Sequence, residues 1–551
     1  MDNQILNRIS KLFKSNNASS KESDNFKMQV YIGDKIKPGI KNFDKLKKRD
    51  CITKLQNYIE EPVENKICIL YGLRSTGKKV MMHQVIKDMS QDIKNKTAFI
   101  DAEKENTLSD LKHDIHLLEK MGITNVFIDE VTKISDFIDT ASIFSDSFSK
   151  KGMRFVLSGT DSLSFMFAMG SELYDRAVPV HTTEIPFHEF SRLASIEDVN
   201  DYICCGGTLN FKEQIAKYEK TAIAENIQNS LQNFNGSRKY AFLQDLYYKY
   251  QLTDAIQRVV HDQNHEFLAS AINYELTLEE WKIFSKNISK ENIEKWNHFI
   301  DEVEDDGLKQ YFMKKLNIID YFDVQVTEET AQQLKVYMKN LNLLKTYKCN
   351  YNTDIQMYEE RNIITQPGLR YAQIEVLLEC LNREEPFIYL LPDDKMYVKN
   401  RIVNAIKGQI LKDIVMHETK TFIDRLDADR YFSQCITFHK NKDFHIESDG
   451  EIDLVITDSR NRCCDLYEIK LSDYDKDSYY QHLINKNYEN KIKEYTGYDI
   501  RHKVLLYRGD EAVKDNGCIC LNAGQYLRLL PQGFDKVIEH INSMTAILNI
   551  K

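Results

Sequence analysis

The sequence lacks several features that identify whole classes of protein. Proline and glycine are scarce, with 8 and 20 residues respectively among 551, which indicates a helix-rich chain. No segment approaches the roughly 20 consecutive apolar residues that a membrane-spanning helix requires. Residues 1–25 are polar and contain no apolar segment of the kind found in secretory signals. We therefore expect a flexible N-terminal tail at 1–25, a cytoplasmic protein and no membrane partner.

An excess of positive charge is also missing. The chain carries 74 lysine and arginine residues against 84 aspartate and glutamate residues, which gives a formal net charge of -10. Proteins that coat nucleic acid without sequence preference are usually basic. The acidic balance makes such a protein less expected, although a local basic groove on an acidic chain would still bind nucleic acid.

The cysteines form no regular framework. Of the 11 cysteines, four lie in two adjacent pairs, Cys204-Cys205 and Cys463-Cys464. Adjacent pairs fit neither zinc-ligand spacing nor a usual disulfide arrangement. We expect reduced thiols, as in cytosolic proteins.

Strand-like and helical patterns alternate between residues 66 and 190. The strand-like segments are ICILY (67–71), TAFID (97–101), NVFID (125–129), RFVLS (154–158) and VPVHTTEI (178–185). Such alternation predicts an α/β fold in which helices cover both faces of a parallel sheet. A chain of this length is expected to contain further domains.

The first of these strands leads into a phosphate-binding loop. The segment ICILYGLRSTGKK matches G-x-x-x-x-G-K and is followed by a helical pattern. Glycines allow backbone N–H groups to surround phosphate oxygens, and the helix N-terminus favours negative charge there. The lysine would neutralise the β- and γ-phosphates. We predict that ATP binds to this loop and to a serine on a later strand: Gly72, Arg74, Ser75, Thr76, Gly77, Lys78, Lys79 and Ser158.

Acidic residues end a second strand. In NVFIDEV, the apolar segment closes on Asp129 and Glu130. In P-loop ATPases the first acid holds Mg²⁺ and the second orients and deprotonates the attacking water. We therefore predict Mg²⁺ as a cofactor at Asp129 and a catalytic role for Glu130. On the next strand, Ser158, Thr160 or Asp161 is expected to contact the γ-phosphate or its water.

One residue of the phosphate loop departs from the usual pattern. The loop lysine is normally followed by serine or threonine, whose hydroxyl binds Mg²⁺. Here Lys79 follows Lys78. A second ammonium repels a metal ion, whereas the backbone cradle and Lys78 remain. We expect nucleotide binding to survive and hydrolysis to be slow.

With these motifs in place, the chain resembles a family of bacterial and archaeal AAA-type ATPases. In that family a winged helix joins the ATPase to a C-terminal restriction-endonuclease-like domain. The resemblance rests on YGLRSTGKK, LSGT (157–160), Arg176, IPFHEF (185–190), ICCGGT (203–208) and TQPGLRYAQ (365–373). It implies that Arg176 senses nucleotide or acts in trans as an arginine finger. Lys79 departs from the family's threonine.

The C-terminal part contains a second set of candidate residues. GEIDLVITDSRNRCCDLYEIKLS is predicted to form a β-hairpin with Asp453 on one strand and Glu468-Ile469-Lys470 on the other. It resembles the D…E-x-K core of the PD-(D/E)xK nuclease fold. Alternation places Glu468 and Lys470 on one face. Two carboxylates can hold Mg²⁺ against a phosphate while the lysine positions water.

The helix predicted before this hairpin could supply a further acid to the site. Its candidates are Asp413 and Glu418. In the family an acid often lies earlier on this helix, and Lys412 occupies that place here. We assign catalytic roles to Asp453, Glu468 and Lys470, and metal binding to Asp453 and Glu468.

These observations give five predicted segments. They are a tail (1–25), an AAA-type ATPase core (26–190), a helical region (191–300), a winged-helix-like unit (301–385) and an α/β nuclease-like domain (386–551). Two functions remain open. One is an ATPase coupled to a nuclease-like domain that acts on DNA. The other is an ATP-dependent switch that binds protein, nucleic acid or a second copy of the chain and cuts nothing.

Overall fold

The structure is a computed structural model. It describes residues 26–209 and 326–548 with short gaps, and scattered positions between 246 and 301. The gaps are at 41–42, 62–63, 135–136, 138–140, 160–164, 166–167, 170–172, 353–357, 373–386 and 443–444. The predicted tail and nearly all of the predicted helical region beyond residue 209 lie outside the described residues.

The chain divides into two compact units. The described residues from 26 to 182 belong to the first unit, apart from loop residues 73–76. Those four residues and the described residues from 183 onward belong to the second unit, apart from 230–235. The second unit therefore begins within the predicted ATPase core (26–190) and includes the described residues of the three segments predicted after it.

The first unit contains a six-stranded sheet with strand order β1-β3-β4-β5-β2-β6. Its strands are β1 (Gln29–Ile32), β2 (Ile67–Gly72), β3 (Thr97–Asp101), β4 (Asn125–Asp129), β5 (Arg154–Gly159) and β6 (Ala177–Thr182). Strands β2 to β6 pair in parallel, which confirms the predicted parallel sheet. The antiparallel edge strand β1 was not predicted, because its side chains are exposed or half-buried and give a weak hydrophobic signal.

Both faces of this sheet are buried. On β2, Ile67, Ile69 and Tyr71 pack into one hydrophobic core, whereas Cys68 and Leu70 pack into another. This arrangement is typical of parallel sheets covered on both sides. The α-helices described in this unit are α1 (Ile52–Glu60), α2 (Lys78–Asp88), α3 (Gln91–Asn95) and α4 (Leu108–Lys120).

The second unit contains an eight-stranded mixed sheet with strand order β13-β14-β12-β11-β10-β9-β7-β8. Its strands are β7 (Leu344–Asn352), β8 (Tyr358–Ile364), β9 (Tyr431–Lys442), β10 (His445–Asp458), β11 (Cys463–Ile469), β12 (Asp499–Tyr507), β13 (Ala512–Val513) and β14 (Cys518–Asn522). Strands β9, β10 and β11 form an antiparallel meander, and β12 then pairs in parallel with β11.

Helices precede, interrupt and follow the strands of the second unit. They are α5 (Phe187–Ala194), α6 (Val199–Cys205), α7 (Glu328–Asn340), α8 (Pro392–Leu426), α9 (Gln481–Ile484), α10 (Lys486–Thr496), α11 (Ala523–Leu529) and α12 (Phe534–Leu548). The long helix α8 directly precedes β9 and supplies many core residues. Its middle turns therefore lie close to the strands that carry the C-terminal candidate residues.

The strands of the predicted winged-helix-like unit do not form a sheet of their own. Strands β7 and β8 pair as an antiparallel hairpin, as a wing would. However, β7 also pairs in parallel with β9, from Cys349 opposite Cys435 to Asn352 opposite Phe438. The hairpin is therefore the edge of the larger C-terminal sheet.

The structure also bears on the expectations for membrane-spanning helices and for cysteines. Among the described residues, no helix is both long and apolar enough to cross a membrane. The described cysteines are free thiols, including the adjacent pairs Cys204-Cys205 and Cys463-Cys464.

Candidate functional site

The predicted phosphate loop connects β2 to α2. Gly72 has a φ of +141°, and a Cβ there would lie 2.2 Å from the backbone oxygen of Thr182. Only glycine fits at this close approach. Lys78 begins α2, is 6% exposed, and donates from Nζ to the Gly72 carbonyl at 2.7 Å. The predicted phosphate-binding ammonium is therefore held directly against the loop.

The remaining loop residues have distinct positions. Arg74 is exposed, and Ser75 has a φ of 60°. The buried hydroxyl of Thr76 donates to the Leu73 carbonyl at 2.8 Å, so it is used within the loop. Gly77 has a φ of 93° and caps α2. Left-handed conformations in such a loop turn successive N–H groups toward one anion.

Acidic residues gather at the carboxyl edge of the parallel sheet. Asp129 ends β4 and lies opposite Asp101, which ends β3. Ser158 of β5 donates from its hydroxyl to Asp129 Oδ1 at 2.9 Å. Glu130 follows with a φ of 54°, a conformation that non-glycine residues seldom adopt and that often marks functional sites. Thr160 and Asp161 lie outside the described residues.

Lys79 occupies the centre of this acidic edge. Its Nζ lies 2.5 Å from Asp101 Oδ1 and 3.2 Å from Asp129 Oδ2. Partial burial alone would lower the pKa of Lys79, but the hydrogen bond to Asp101 and the charge of Asp129 raise it overall. The predicted Mg²⁺ ligand Asp129 therefore faces a protonated ammonium.

Asp101 was missed as a candidate by the sequence analysis. The signal was present, since TAFID and NVFID both close an apolar strand with Ile-Asp. Neighbouring parallel strands bring their carboxyl ends to one edge of the sheet. Two neighbouring strands that both end in aspartate therefore indicate a pair of carboxylates at one edge of the sheet.

Arg176 lies at the opposite edge of the sheet. It directly precedes β6, and its carbonyl accepts from the N–H of Ile67, the first residue of β2. The loop begins five residues later on β2, a rise of about 16 Å at roughly 3.3 Å per residue. The Arg176 side chain lies 3.4 Å from Asp146. This position favours the role in trans, and both roles of Arg176 stay predictions.

The C-terminal candidate residues lie side by side in the second unit. The hairpin register, with Leu454 opposite Tyr467, brings Asp453 next to Glu468. Asp453 Oδ2 accepts from the N–H of Ile469 at 2.8 Å. Lys470 Nζ lies 3.4 Å from Glu468 Oε2, as expected if both side chains leave the same face.

A lysine from α8 completes this group. Lys412 Nζ lies 2.5 Å from Asp453 Oδ1, and the Asp453 side chain is 2% exposed. Burial alone would raise the pKa of Asp453, but Lys412 and Lys470 lower it to about 2. Burial and the adjacent Asp453 carboxylate raise the pKa of Glu468 well above its ordinary value. Two lysine side chains, Lys412 and Lys470, therefore lie next to the two acidic side chains of this group.

Neither acid expected from the preceding helix reaches Asp453. Asp413 pairs with Arg361 of β8 at 3.0 Å. Glu418 accepts from the N–H of Phe187, at the start of α5, at 2.7 Å. An α-helix turns by about 100° per residue, so Lys412 and its neighbour Asp413 face different directions. Lys412 takes the place where a further acid was expected.

The buried Glu418 predicts a pH-dependent stability. Burial, together with the charge of Glu184, raises its pKa from 4.5 to about 8, despite its bonds from Phe187 and Tyr202. The folded chain therefore keeps a proton that the unfolded chain releases above its ordinary pKa. Stability should fall as pH rises from about 5 to about 8, because the unfolded state binds fewer protons there.

Thermal unfolding across this pH range tests the prediction. Glu418→Gln keeps an acceptor for the Phe187 N–H and removes the titration, so its melting temperature should fall less with pH than that of the wild-type chain. Equal slopes for the two proteins would contradict the assignment.

Neither group of acids offers an open metal site. Among the described residues, no cluster of three or more histidine, cysteine, aspartate or glutamate side chains is arranged to hold a metal ion. At Asp129 and at Asp453 a lysine nitrogen lies within 3.2 Å and 2.5 Å of a carboxylate oxygen, respectively. An ammonium at that distance takes the position that Mg²⁺ would need, about 2.1 Å from the oxygen.

A comparison with known protein families covers the part of the chain that contains the first of these groups. A family described as "AAA domain" matches residues 64–191. No curated protein was found to match the chain. The match assigns residues 64–191 to the AAA-type P-loop ATPases, a group that uses nucleotide and typically Mg²⁺.

Solved structures with partial similarity include two archaeal proteins and one bacterial protein. The Orc1 protein of Aeropyrum pernix, solved in complex with DNA, is 11% identical, with 61% of this chain and 92% of that chain covered and a TM-score of 0.22. Cdc6p of Pyrobaculum aerophilum is 11% identical, with 60% and 93% covered and a TM-score of 0.22. A DNA polymerase III gamma subunit-related protein of Thermotoga maritima is 11% identical, with 53% and 92% covered and a TM-score of 0.18. Scores this low support no argument, and the assignment of residues 64–191 to an AAA-type P-loop ATPase rests on the family match and the site geometry.

Proposed function

We propose that this protein is an ATP-dependent switch whose C-terminal domain has a nuclease-like fold and binds DNA without cutting it. The observation that carries the proposal is the ion pair between Lys412 and Asp453, with 2.5 Å between Nζ and Oδ1. A carboxylate pair that cleaves DNA needs a metal ion between its oxygens. Here a lysine fills that position.

The order of elements supports a nuclease-like fold. Helix α8 leads into the meander of β9, β10 and β11, and β12 follows through α9 and α10 to pair in parallel with β11. Asp453 and the Glu468-Ile469-Lys470 segment lie on adjacent strands of this meander. This is the arrangement expected of a domain with the D…E-x-K core.

The charges of the C-terminal group favour binding of a phosphodiester. Lys412 and Lys470 carry two positive charges, and Asp453 is ionised. Burial beside Asp453 raises the pKa of Glu468, which disfavours a second negative charge there. Lysine side chains make the phosphate contacts that dominate affinity for DNA. An acidic chain can bind DNA through such a local group.

ATP would act through the loop in the AAA domain. Lys78 and the N-terminus of α2 would bind the phosphates, and Glu130 would orient the attacking water. We expect slow hydrolysis, since Lys79 replaces the usual hydroxyl. Arg176 would contribute only from a second copy of the chain, because it lies far from the loop of its own sheet.

A metal-dependent nuclease is the second candidate function. The adjacency of Asp453, Glu468 and Lys470 favours it, because these are the residue types that metal-dependent phosphodiesterases use. It would require Lys412 to leave Asp453 when a metal ion and DNA bind.

One incubation separates the two candidates. The full chain is mixed with labelled DNA, ATP and Mg²⁺ or Mn²⁺, and DNA retention, DNA cleavage and phosphate release are measured together. We expect retained, uncut DNA and slow phosphate release. Lys470→Ala should weaken retention about tenfold, the effect of losing one charged contact of about 1.4 kcal/mol.

Matched variants make the outcome specific. Lys493→Ala removes an exposed lysine that pairs with Asp499 on the same unit, and it should leave retention unchanged. Cleavage that requires metal and disappears in Asp453→Ala would support the nuclease instead. Absence of DNA retention in the wild-type chain would contradict the proposed binding.

A further inference from the structure

The nucleotide site contains a fixed positive charge where AAA-type ATPases place a metal ion. Lys79 Nζ contacts Asp101 at 2.5 Å and Asp129 at 3.2 Å. It also lies 5.6 Å from the centre of the Phe99 ring, within the range of a cation–π contact. Three side chains from two strands therefore hold this ammonium in one place.

The surroundings show why a cation is needed there. The Asp129 side chain is 6% exposed, and a buried carboxylate is stable only when it is paired or hydrogen-bonded. Ser158 supplies one hydrogen bond, and Lys79 supplies the opposite charge. With the usual threonine at position 79, that charge would have to come from Mg²⁺.

A divalent metal does not fit this set of donors as they stand. A Mg²⁺ ion would need oxygen ligands at about 2.1 Å, in octahedral geometry. The ammonium occupies the space between the two carboxylates, and Lys79 stands where the loop normally has the serine or threonine that binds Mg²⁺. The hydroxyl ligand that the loop normally supplies is therefore missing as well.

We infer that Lys79 is a built-in replacement for Mg²⁺, so that this chain binds ATP without a divalent metal. The inference rests on the proposed ATP binding and concerns the same site. Lys79 supplies a positive charge beside the Asp129 carboxylate, in addition to the phosphate-binding charge of Lys78, and no metal is required. The ligand is therefore the metal-free nucleoside triphosphate.

The test compares ATP affinity in excess chelator with affinity in excess Mg²⁺, measured by calorimetry on the full chain. Wild-type affinity should differ by less than about threefold between the two conditions, a change under 1 kcal/mol. In Lys79→Thr, affinity should become metal-dependent, with binding about tenfold or more tighter in Mg²⁺ than in chelator.

Two further variants identify the cause of such a change. Lys79→Arg keeps the positive charge, so its binding should stay independent of metal. Lys87→Thr removes another lysine of the same helix, one that is paired with Asp44. Its affinity should match that of the wild-type chain in both conditions.

Each outcome has a distinct meaning. Wild-type binding that is lost in chelator and restored by Mg²⁺ would overturn the inference while leaving ATP binding established. A Lys79→Thr chain that is as indifferent to metal as the wild type would also overturn it. Absence of binding in both conditions would defeat the proposed ATP site, and this inference with it.

Discussion

Replacing Lys78 with alanine is expected to weaken ATP binding by about 100-fold or more, because two charge-assisted hydrogen bonds to phosphate are lost at about 1.5–3 kcal/mol each. In the structure its Nζ donates to the Gly72 carbonyl at 2.7 Å. That contact holds the ammonium at the loop, where the β- and γ-phosphates would lie. Binding of a fluorescent ATP analogue to the variant measures the loss directly.

Two controls separate lost binding from lost folding. The Lys78→Ala chain should keep the circular dichroism spectrum of the wild type. Lys87→Ala, nine residues further along α2 and paired with Asp44, should bind ATP normally. A folded Lys78→Ala protein with unchanged affinity would show that ATP does not bind at this loop.

Removing Lys412 is expected to destabilise the C-terminal domain and to make its stability respond to metal. In Lys412→Ala, the buried Asp453 loses its nearest positive charge, and breaking a buried ion pair costs about 3 kcal/mol. We take the lower end of the usual range because the Lys412 side chain is 22% exposed. Mn²⁺ should then restore part of the lost stability by binding between Asp453 and Glu468.

Chemical unfolding with and without Mn²⁺ measures both effects. Lys420→Ala, on the same helix, loses a surface pair with Asp424 and an exposed cation–π contact with Phe432, and should change stability by less than about 1 kcal/mol. The double variant Lys412→Ala with Asp453→Asn should recover stability without metal, since no charge is left unpaired. A Lys412→Ala chain as stable as the wild type would contradict the importance of this ion pair.

The parallel sheet and the phosphate loop were predictable because their signals are local. Short apolar segments separated by helical patterns predict parallel strands, and each segment can be recognised from residues that are adjacent in sequence. The loop glycines are required by local backbone geometry, as the positive φ of Gly72 and Gly77 shows. Such features depend on residues that are close in sequence.

Helix α8 shows what local patterns leave undecided. Its sequence offers Asp413 and Glu418 as acids for the site, whereas Lys412 stands where the family often has an acid. Periodicity establishes that these side chains point in different directions, but not which of them faces β10. That depends on how the helix is rotated against the sheet, and the packing of α8 turned Lys412 toward Asp453.

The sequence alone therefore predicted the type of nucleotide site, and the tertiary structure decided which partners both acidic groups contact. Sequence showed that Lys79 stands where a hydroxyl is usual, but its contacts with Asp101 and Asp129 depend on strands 22 and 50 residues away along the chain. Lys412 and Asp453 are likewise 41 residues apart. Ion pairs between distant elements depend on sheet register and helix rotation, which are set by the packing of the whole domain rather than by any local pattern.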